Sequence, residues 1–219
     1  MRRVVAVDGP AGAGKSTVSR GVASALGLEV LDTGAMYRAA TLAVLDAGVD
    51  PHDAAAVEAV ARRAAIEVSD RVRLDGRDVT EQIRGPEVTG AVSTVSSHPG
   101  VRAVLVARQR AWVDERGGGV VEGRDIGTVV FPDAPVKVFL TASEEERARR
   151  RHRDEVGARR EVEVEQVQAA LARRDALDRG REASPMKPAD DALVVDTTGR
   201  AADDVVAEVV DRWRETVDR

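Results

Sequence analysis

The sequence predicts an α/β fold, a parallel sheet flanked by helices. Three observations carry that prediction. Short apolar runs alternate with stretches of helical spacing from the first residues onward. A loop of small residues joins the first run to the first helical stretch. The same strand-then-helix rhythm returns near the end of the chain, after an alanine-rich middle that interrupts it.

In chain order, Arg3 to Val7 is the first strand. Helical spacing runs from about Lys15 to Leu26 and stops at Gly27, a residue suited to a helix C-cap. Leu28 to Leu31 is apolar again and ends at Asp32, and a second helix covers about Ala35 to Ala47 before Gly48. Ala54 to Ala65 is helical, and Ile66 to Leu74 and Val79 to Ile83 have the pattern of short strands around a turn at Asp75-Gly76. This hairpin-like piece breaks the α/β rhythm and is expected to be an insertion. Glu87 to Arg116 is mostly helical, with Pro99 at or near a helix start. Gly117 to Gly119 is expected to be a flexible joint, Val120-Val121 a short strand and Val136 to Leu140 another. Ser143-Glu-Glu-Glu146 has the spacing of a capping box, so a helix is expected from there, with a further helix over Val164 to Arg174. A last strand, Leu193 to Val195, and a last helix, Asp203 to Thr216, complete the chain, and no internal repeat is visible.

Composition narrows the function classes. A chain of 219 residues with 43% hydrophobic content can bury one full core and a small inserted subdomain. Aromatic residues are only 2%, so Val, Leu and Ala must fill that core. A net charge of -5 argues against an overall nucleic-acid footprint. The absence of cysteine excludes a disulfide scaffold and a thiolate metal site, and His52, His98 and His152 are too scattered for zinc. The apolar run after the two N-terminal arginines ends at Asp8 after four residues, and no segment approaches the roughly 20 apolar residues of a membrane span. A cytoplasmic protein without membrane attachment is the expectation.

Gly9-Pro-Ala-Gly-Ala-Gly14-Lys15-Ser16 matches the phosphate-loop pattern G-x-x-x-x-G-K-[ST] in the required strand–turn–helix context. Each part has a physical task. The glycines permit backbone angles that turn N–H groups inward as an anion cradle, and the helix start adds its positive dipole end. Lys15 supplies a mobile charge to the β- and γ-phosphates, and Ser16 offers a hydroxyl to magnesium, in part through waters. The nucleotide-binding set is Gly9, Pro10, Ala11, Gly12, Ala13, Gly14, Lys15, Ser16 and Thr17. The fold class becomes a P-loop nucleoside-triphosphatase core. A GTPase would carry a base-reading N-K-x-D motif, which is missing. A translocating ATPase would end a core strand in acidic residues, whereas Val136 to Leu140 runs into Thr141-Ala142. A small-molecule kinase is the remaining expectation.

Asp32-Thr-Gly-Ala-Met-Tyr-Arg38 lies at the end of the second strand, where ligands of parallel sheets gather. Tyr37 is the sole tyrosine, and Arg38 has the reach for a phosphate; a helix cap followed by an exposed arginine is the alternative for the same residues.

Beyond these motifs the chain resembles the bacterial cytidylate kinases over nearly its whole length. The resemblance lies in DGPAGAGKST, LDTGAMYRA, EVTGAVSTVSSHPGVR, ARQRAW, EGRDIGTVVFPDAPVKVFLTAS, RRDALDRGREASP and ADDALVVDTT. It implies a core of about 1–35, 101–148 and 180–219, an enlarged monophosphate-binding insertion of about 36–100, and a short helical lid of about 149–179. It implies ATP-dependent phosphorylation of CMP and dCMP to CDP and dCDP, with ATP as co-substrate, Mg2+ as cofactor and a monomeric chain.

By the same resemblance, Thr33, Tyr37 and Arg38 hold the monophosphate; family members often carry serine where Thr33 stands, and the hydroxyl is kept. Ser93 and Arg102 match residues near the cytosine, Gly123, Arg124 and Asp125 form a Gly-Arg-Asp block, and Arg174, Asp178 and Arg181 serve the ribose and phosphate. Cytosine N4 is a donor that a carboxylate accepts, whereas uracil presents a carbonyl oxygen there, so Asp125 would favour cytosine. From the residues alone, Asp125 could equally pair with Arg124, and Asp178 with Arg174 four positions earlier.

The lid candidates are the arginines after the capping box. Positions 147, 150 and 151 share a helix face, with Arg147 and Arg151 expected at the nucleotide and Arg150 among the catalytic charges; His152 and the segment to Arg160 are expected to continue the lid. A solvated basic face balanced by Glu144 to Glu146 is the alternative. Lys15, Arg38, Arg124, Arg150 and Arg181 are the expected catalytic charges, and with an anionic acceptor no strong general base is needed. A kinase acting on UMP or AMP and a non-catalytic nucleotide-binding regulator remain the competing readings.

Overall fold

The structure is a computed structural model, and it describes residues 3–157, 164–181 and 184–217. The chain divides into two compact units, Met1–Val30 with Gly117–Arg219, and Leu31–Arg116.

The first unit is built on a five-stranded sheet of order β2-β6-β1-β7-β8. Its strands are β1 (Arg3–Asp8), β2 (Val30–Asp32), β6 (Gly118–Glu122), β7 (Val136–Thr141) and β8 (Leu193–Asp196), and the boundary between the units falls within β2. Strand β1 pairs in parallel with β6 on one side and β7 on the other, and β7 pairs in parallel with β8. Such strands are covered on both faces, which is why Val4, Val5, Ala6 and Val7 are all fully buried and read as an unbroken apolar run. Helices α1 (Lys15–Leu26) and α8 (Ala202–Val217) pack against them, and Val5, Val7, Val22, Val138, Leu140, Val209 and Trp213 share one core. With so few aromatics, most of the stabilisation comes from aliphatic side chains, each worth about 1.5–3 kcal/mol when fully buried. Helices α6 (Glu144–Gly157) and α7 (Val164–Arg179) form a satellite cluster of Ala148, Val167 and Leu171, against which Ala11 of the phosphate loop packs.

The second unit holds α2 (Thr33–Asp46), α3 (Ala54–Arg63), α4 (Pro86–Val95), α5 (Pro99–Arg116) and a small antiparallel sheet. That sheet corrects the expected hairpin. It has three strands, β3 (Ile66–Val68), β4 (Val72–Leu74) and β5 (Arg77–Asp78), and the Asp75-Gly76 turn joins β4 to β5. Val79 to Ile83 is not a strand: Ile83 N–H donates to the Val79 carbonyl at 3.0 Å, in a helical turn that runs into a short 3-10 helix over Gln82–Arg84. The apolar residues there are four apart, and both bury into the unit's core beside Leu42, Leu74 and Val88.

Gly117 to Gly119 is also corrected. Gly117 has φ +69 at the end of α5, but Gly118 and Gly119 are buried strand residues that open β6. A Cβ on Gly118 would lie 2.5 Å from the Arg3 carbonyl oxygen, so Gly118 permits close strand contact, and Gly118 and Gly119 belong to the sheet instead of a joint.

Candidate active site

The phosphate loop runs from the buried end of β1 into α1. Gly9 has φ +141, and a Cβ there would stand 2.1 Å from the Leu140 carbonyl oxygen, so only glycine fits where the loop leaves the sheet. Helix α1 is capped by Gly14, and no side chain closes its first turn. Its leading N–H groups therefore point at the loop with the helix dipole behind them, the arrangement that binds phosphate. Lys15 folds back over the loop and donates to the Gly9 and Pro10 carbonyls at 2.9 and 2.7 Å.

Ser16 Oγ donates to Glu122 Oε1 at 2.7 Å. Glu122 is the last residue of β6, directly beside β1, and is 3% exposed. This is a strand-ending acid on β6, missed where only the strand Val136 to Leu140 is tested for one. Its signal was present: Val120-Val121-Glu122 is an apolar strand closed by a carboxylate. A buried carboxylate beside the phosphate-loop hydroxyl is an all-oxygen donor pair of the type a hard divalent cation takes. No group of three or more His, Cys, Asp or Glu that could hold a metal occurs among the described residues.

Asp8 was also missed. It ends β1 immediately before Gly9, is 4% exposed, and accepts the main-chain N–H groups of Ile126 and Gly127 on its two oxygens, both at 2.8 Å. Burial pushes its carboxyl up to about 6; the two backbone donors and Lys15 oppose that rise, while the neighbouring Asp125 adds to it.

The Gly123-Arg124-Asp125 block follows β6. Arg124 Nε donates to Asp178 Oδ2 at 3.0 Å, and its NH1 to the Gly123 carbonyl at 3.2 Å. Asp178, on α7 and 1% exposed, also receives Arg181 at 2.5 Å and lies 3.9 Å from Arg174 Nε. Burial alone would raise the Asp178 carboxyl, but the charges of Arg124, Arg181 and Arg174 outweigh it and hold the group below its ordinary range. The structure thus brings four of the expected substrate residues, Arg124, Arg174, Asp178 and Arg181, into one cluster. Asp125 is buried, and its carbonyl accepts from Val129 and Val130 in a wide turn over Ile126–Val130.

On α6 half of the expected capping box forms: Glu146 N–H donates to Ser143 Oγ at 3.2 Å, whereas Ser143 N–H donates to Thr198 Oγ1 at 2.9 Å and the Glu146 carboxylate accepts from Arg150. Arg147 packs against the phosphate loop. It is 4% exposed, is ion-paired with Asp175, and donates to the Ala142 carbonyl and, at 3.2 Å, to the Ala11 carbonyl. Its guanidinium thus links the Ala11 carbonyl of the phosphate loop to Asp175 of α7. Arg150 donates to Glu146 Oε1 at 2.8 Å and to the Thr197 hydroxyl and carbonyl at 2.9 and 2.8 Å. The Thr197 hydroxyl lies 3.1 Å from the Ala13 carbonyl, so Arg150 is tied to the loop through one residue. Arg151 lies on the same helix and is half-buried. The expected lid extension to Arg160 includes residues 158–160, which lie outside the described residues.

In the second unit, Asp32 caps α2 by accepting the Ala35 N–H at 3.0 Å. Thr33 and Tyr37 are buried on that helix, and the Arg102 guanidinium from α5 lies 5.4 Å from the centre of the Tyr37 ring. Arg38 donates to the Ile83 carbonyl at 3.1 Å and to Thr89 Oγ1 at 2.9 Å. Thr89 sits one turn before Ser93 on α4, so Thr33, Tyr37, Arg38, Ser93 and Arg102 are collected by three neighbouring helices.

The family model for cytidylate kinase matches residues 5–215. A cytidylate kinase of Mycobacterium leprae (strain Br4923) is 55% identical over 209 residues, 95% of this chain and 94% of the relative. The bifunctional pantoate ligase/cytidylate kinase of Synechococcus sp. (strain WH7803) is 50% identical over 218 residues, 96% of this chain but 44% of that longer protein. Among solved structures, a gluconokinase from Sinorhizobium meliloti 1021 is similar with a TM-score of 0.53 at 15% identity, covering 99% of this chain and 94% of that one, a likeness of fold. No helix of the described residues is long and apolar enough to cross a membrane. The chain belongs to the cytidylate kinase family.

Proposed function

We propose that the chain transfers the γ-phosphoryl group of ATP to CMP and dCMP, giving ADP with CDP or dCDP. The observation that carries this reading is the complete phosphate loop, with Lys15 and the Ser16–Glu122 pair, in a member of the cytidylate kinase family. An oxygen of the acceptor phosphate attacks the γ-phosphorus, the bond to the β-bridging oxygen breaks, and ADP leaves. The acceptor is already anionic, so the protein's task is to position two phosphates and to offset their charge.

On this reading Gly9 to Thr17 cradle the triphosphate through main-chain N–H groups, and Lys15 swings from the Gly9 and Pro10 carbonyls onto its phosphates. Ser16 and Glu122 would hold Mg2+, which when bound draws negative charge from the β- and γ-phosphate oxygens. Arg147 acts through the loop it supports, while Arg150 and Arg151 serve the nucleotide and the transferred group from α6. Thr33, Tyr37 and Arg38 take the acceptor phosphate, aided by Arg124 and Arg181, whose guanidinium groups Asp178 orients. Arg174 and Asp178 serve the ribose. Ser93, Arg102, Gly123 and Asp125 take the base, with Asp125 accepting from cytosine N4. The core, the insertion of about 36–100 and the lid of about 149–179 divide these tasks, in a monomeric cytoplasmic enzyme that uses neither nucleic acid nor membrane.

The test is ADP release from ATP and Mg2+ with CMP, dCMP, UMP and AMP as acceptors. CMP and dCMP should turn over with kcat/KM at least about 10²-fold above UMP, since a site built to pair a substrate NH rejects the analogue lacking it, and above AMP, whose purine is larger than the pyrimidine that such a site takes. Equal turnover of all four would remove the cytosine reading, and turnover of none would leave a nucleotide-binding regulator.

A further inference from the structure

The Asp8 clamp goes beyond the nucleotide and base contacts above. Strand β1 ends at Asp8, and both carboxylate oxygens are committed to consecutive main-chain donors, Ile126 and Gly127, each at 2.8 Å. These two amides directly follow Asp125. At Asp125 the backbone takes φ -146 and ψ 25, outside the helical and strand regions, and no side chain caps the turn that starts there. The Asp125 carbonyl is held by Val129 and Val130 from the C-terminal side, and the Asp8 clamp is the matching restraint on the amides that follow it. The same residue precedes Gly9, so the root of the phosphate loop and the Gly-Arg-Asp block share one anchor.

Chemistry explains why an acid stands there. Two adjacent buried N–H groups need two acceptors. An asparagine offers one, and its amide nitrogen would face the second donor. The carboxylate satisfies both, although its position is unfavourable for charge: it is buried, and Asp125 is close enough to add to its burden. A site that only had to close a strand end would be served by a neutral side chain.

We propose that Asp8 is a positioning residue that holds the main chain after Asp125 in register, and so sets how sharply Asp125 discriminates cytosine from uracil. The inference rests on the reading that Asp125 accepts from the base. Asp8 acts through the backbone and touches no substrate itself.

The test compares Asp8→Asn, Asp8→Glu and Asp125→Ala with the wild type, measuring kcat and KM for CMP, UMP and ATP together with the thermal midpoint. Asp8→Asn is expected to raise KM for CMP about 10-fold and to cut the CMP-over-UMP ratio of kcat/KM about 10-fold, since small misplacements of a recognition group carry such losses. It should change KM for ATP by less. Asp8→Glu keeps two acceptors on a longer stem and should recover part of the ratio. An Asp8→Asn enzyme that folds and keeps the wild-type ratio overturns the proposal, whatever its KM. If Asp125→Ala also keeps the ratio, the base reading falls with it; if Asp125→Ala loses the ratio while Asp8→Asn does not, only the positioning role falls. Should Asp8→Asn not fold, Asp8→Ser carries the same comparison with one acceptor retained. Loss of folding in all three Asp8 variants would make Asp8 a determinant of the fold and overturn the positioning role.

Discussion

Ser16 Oγ and Glu122 Oε1 are joined by a 2.7 Å hydrogen bond that links the first turn of α1 to the end of the neighbouring strand β6. A serine hydroxyl held by a buried carboxylate is already oriented before any cation arrives. Replacing Glu122 with Gln keeps the shape and removes the charge. We expect kcat to fall about 100-fold and the Mg2+ concentration for half-maximal rate to rise, as when a ligand or its orienting partner is lost from a metal site. A Mg2+ titration of CMP-dependent ADP release checks this; an unchanged Mg2+ requirement would place Glu122 outside the cation's shell.

Arg38 spends NH1 on the Ile83 carbonyl and Thr89 in this structure, so it is held in place without substrate. Arg38→Lys should raise KM for CMP by roughly 10-fold or more, because a point charge cannot reproduce a planar fork against a phosphate. The thermal midpoint should move little, since part of the side chain is exposed. Steady-state kinetics with CMP varied at saturating ATP decide this, and an unchanged KM would leave Arg38 as a local structural contact.

The Asp8 carboxyl, pushed up to about 6, makes stability depend on pH in a defined sense. Between its ordinary value near 3.9 and about 6, the folded chain holds a proton that the unfolded chain has released, so this group's contribution to stability falls as pH rises through that window. Asp178 has the opposite sign: its folded value is depressed, so its contribution is present above the ordinary carboxylate range and is lost as pH falls below it. Asp8→Asn deletes only the first effect. Without nucleotide or Mg2+, the stability of Asp8→Asn relative to wild type should therefore improve by up to about 3 kcal/mol between about pH 4 and pH 7. Denaturant unfolding at several pH values measures it, and a flat difference would show that Asp8 titrates normally.

Arg147 and Asp175 form an ion pair in which both side chains are nearly inaccessible, and Arg147 also supports the Ala11 carbonyl. Truncating Arg147 to Ala leaves a buried carboxylate without its cation. The expected cost is about 3–5 kcal/mol. For a chain of this size that corresponds to a thermal midpoint lower by roughly 10 °C. KM for ATP should rise as well, because the loop loses its support. A midpoint unchanged within a degree or two would mean that the pair is solvated in solution.

The sequence alone determined the features whose cause is local. Gly9 to Ser16 could be read directly, since the loop's function depends on glycine angles, a lysine and a hydroxyl at fixed spacing. The Ser143–Glu146 cap, the Gly27 stop and the buried parallel strands were legible because caps and apolar runs act over a few residues. Val79 and Ile83 were misassigned because a four-residue apolar spacing inside a short segment fits either a helical turn or a pleated strand until the surrounding core chooses.

Only the tertiary structure decided which charges meet. Arg124 pairs with Asp178, which is 54 residues away in sequence, and Asp8 grips amides 118 and 119 residues away. Glu122 becomes a partner of Ser16 only because the sheet order sets β6 beside β1. Arg147 could be placed on the correct helix face from its spacing, yet that spacing could not tell that the face turns inward onto the loop and Asp175. Local spacing sets which residues share an element, whereas burial and long-range pairing set which of them a substrate can reach.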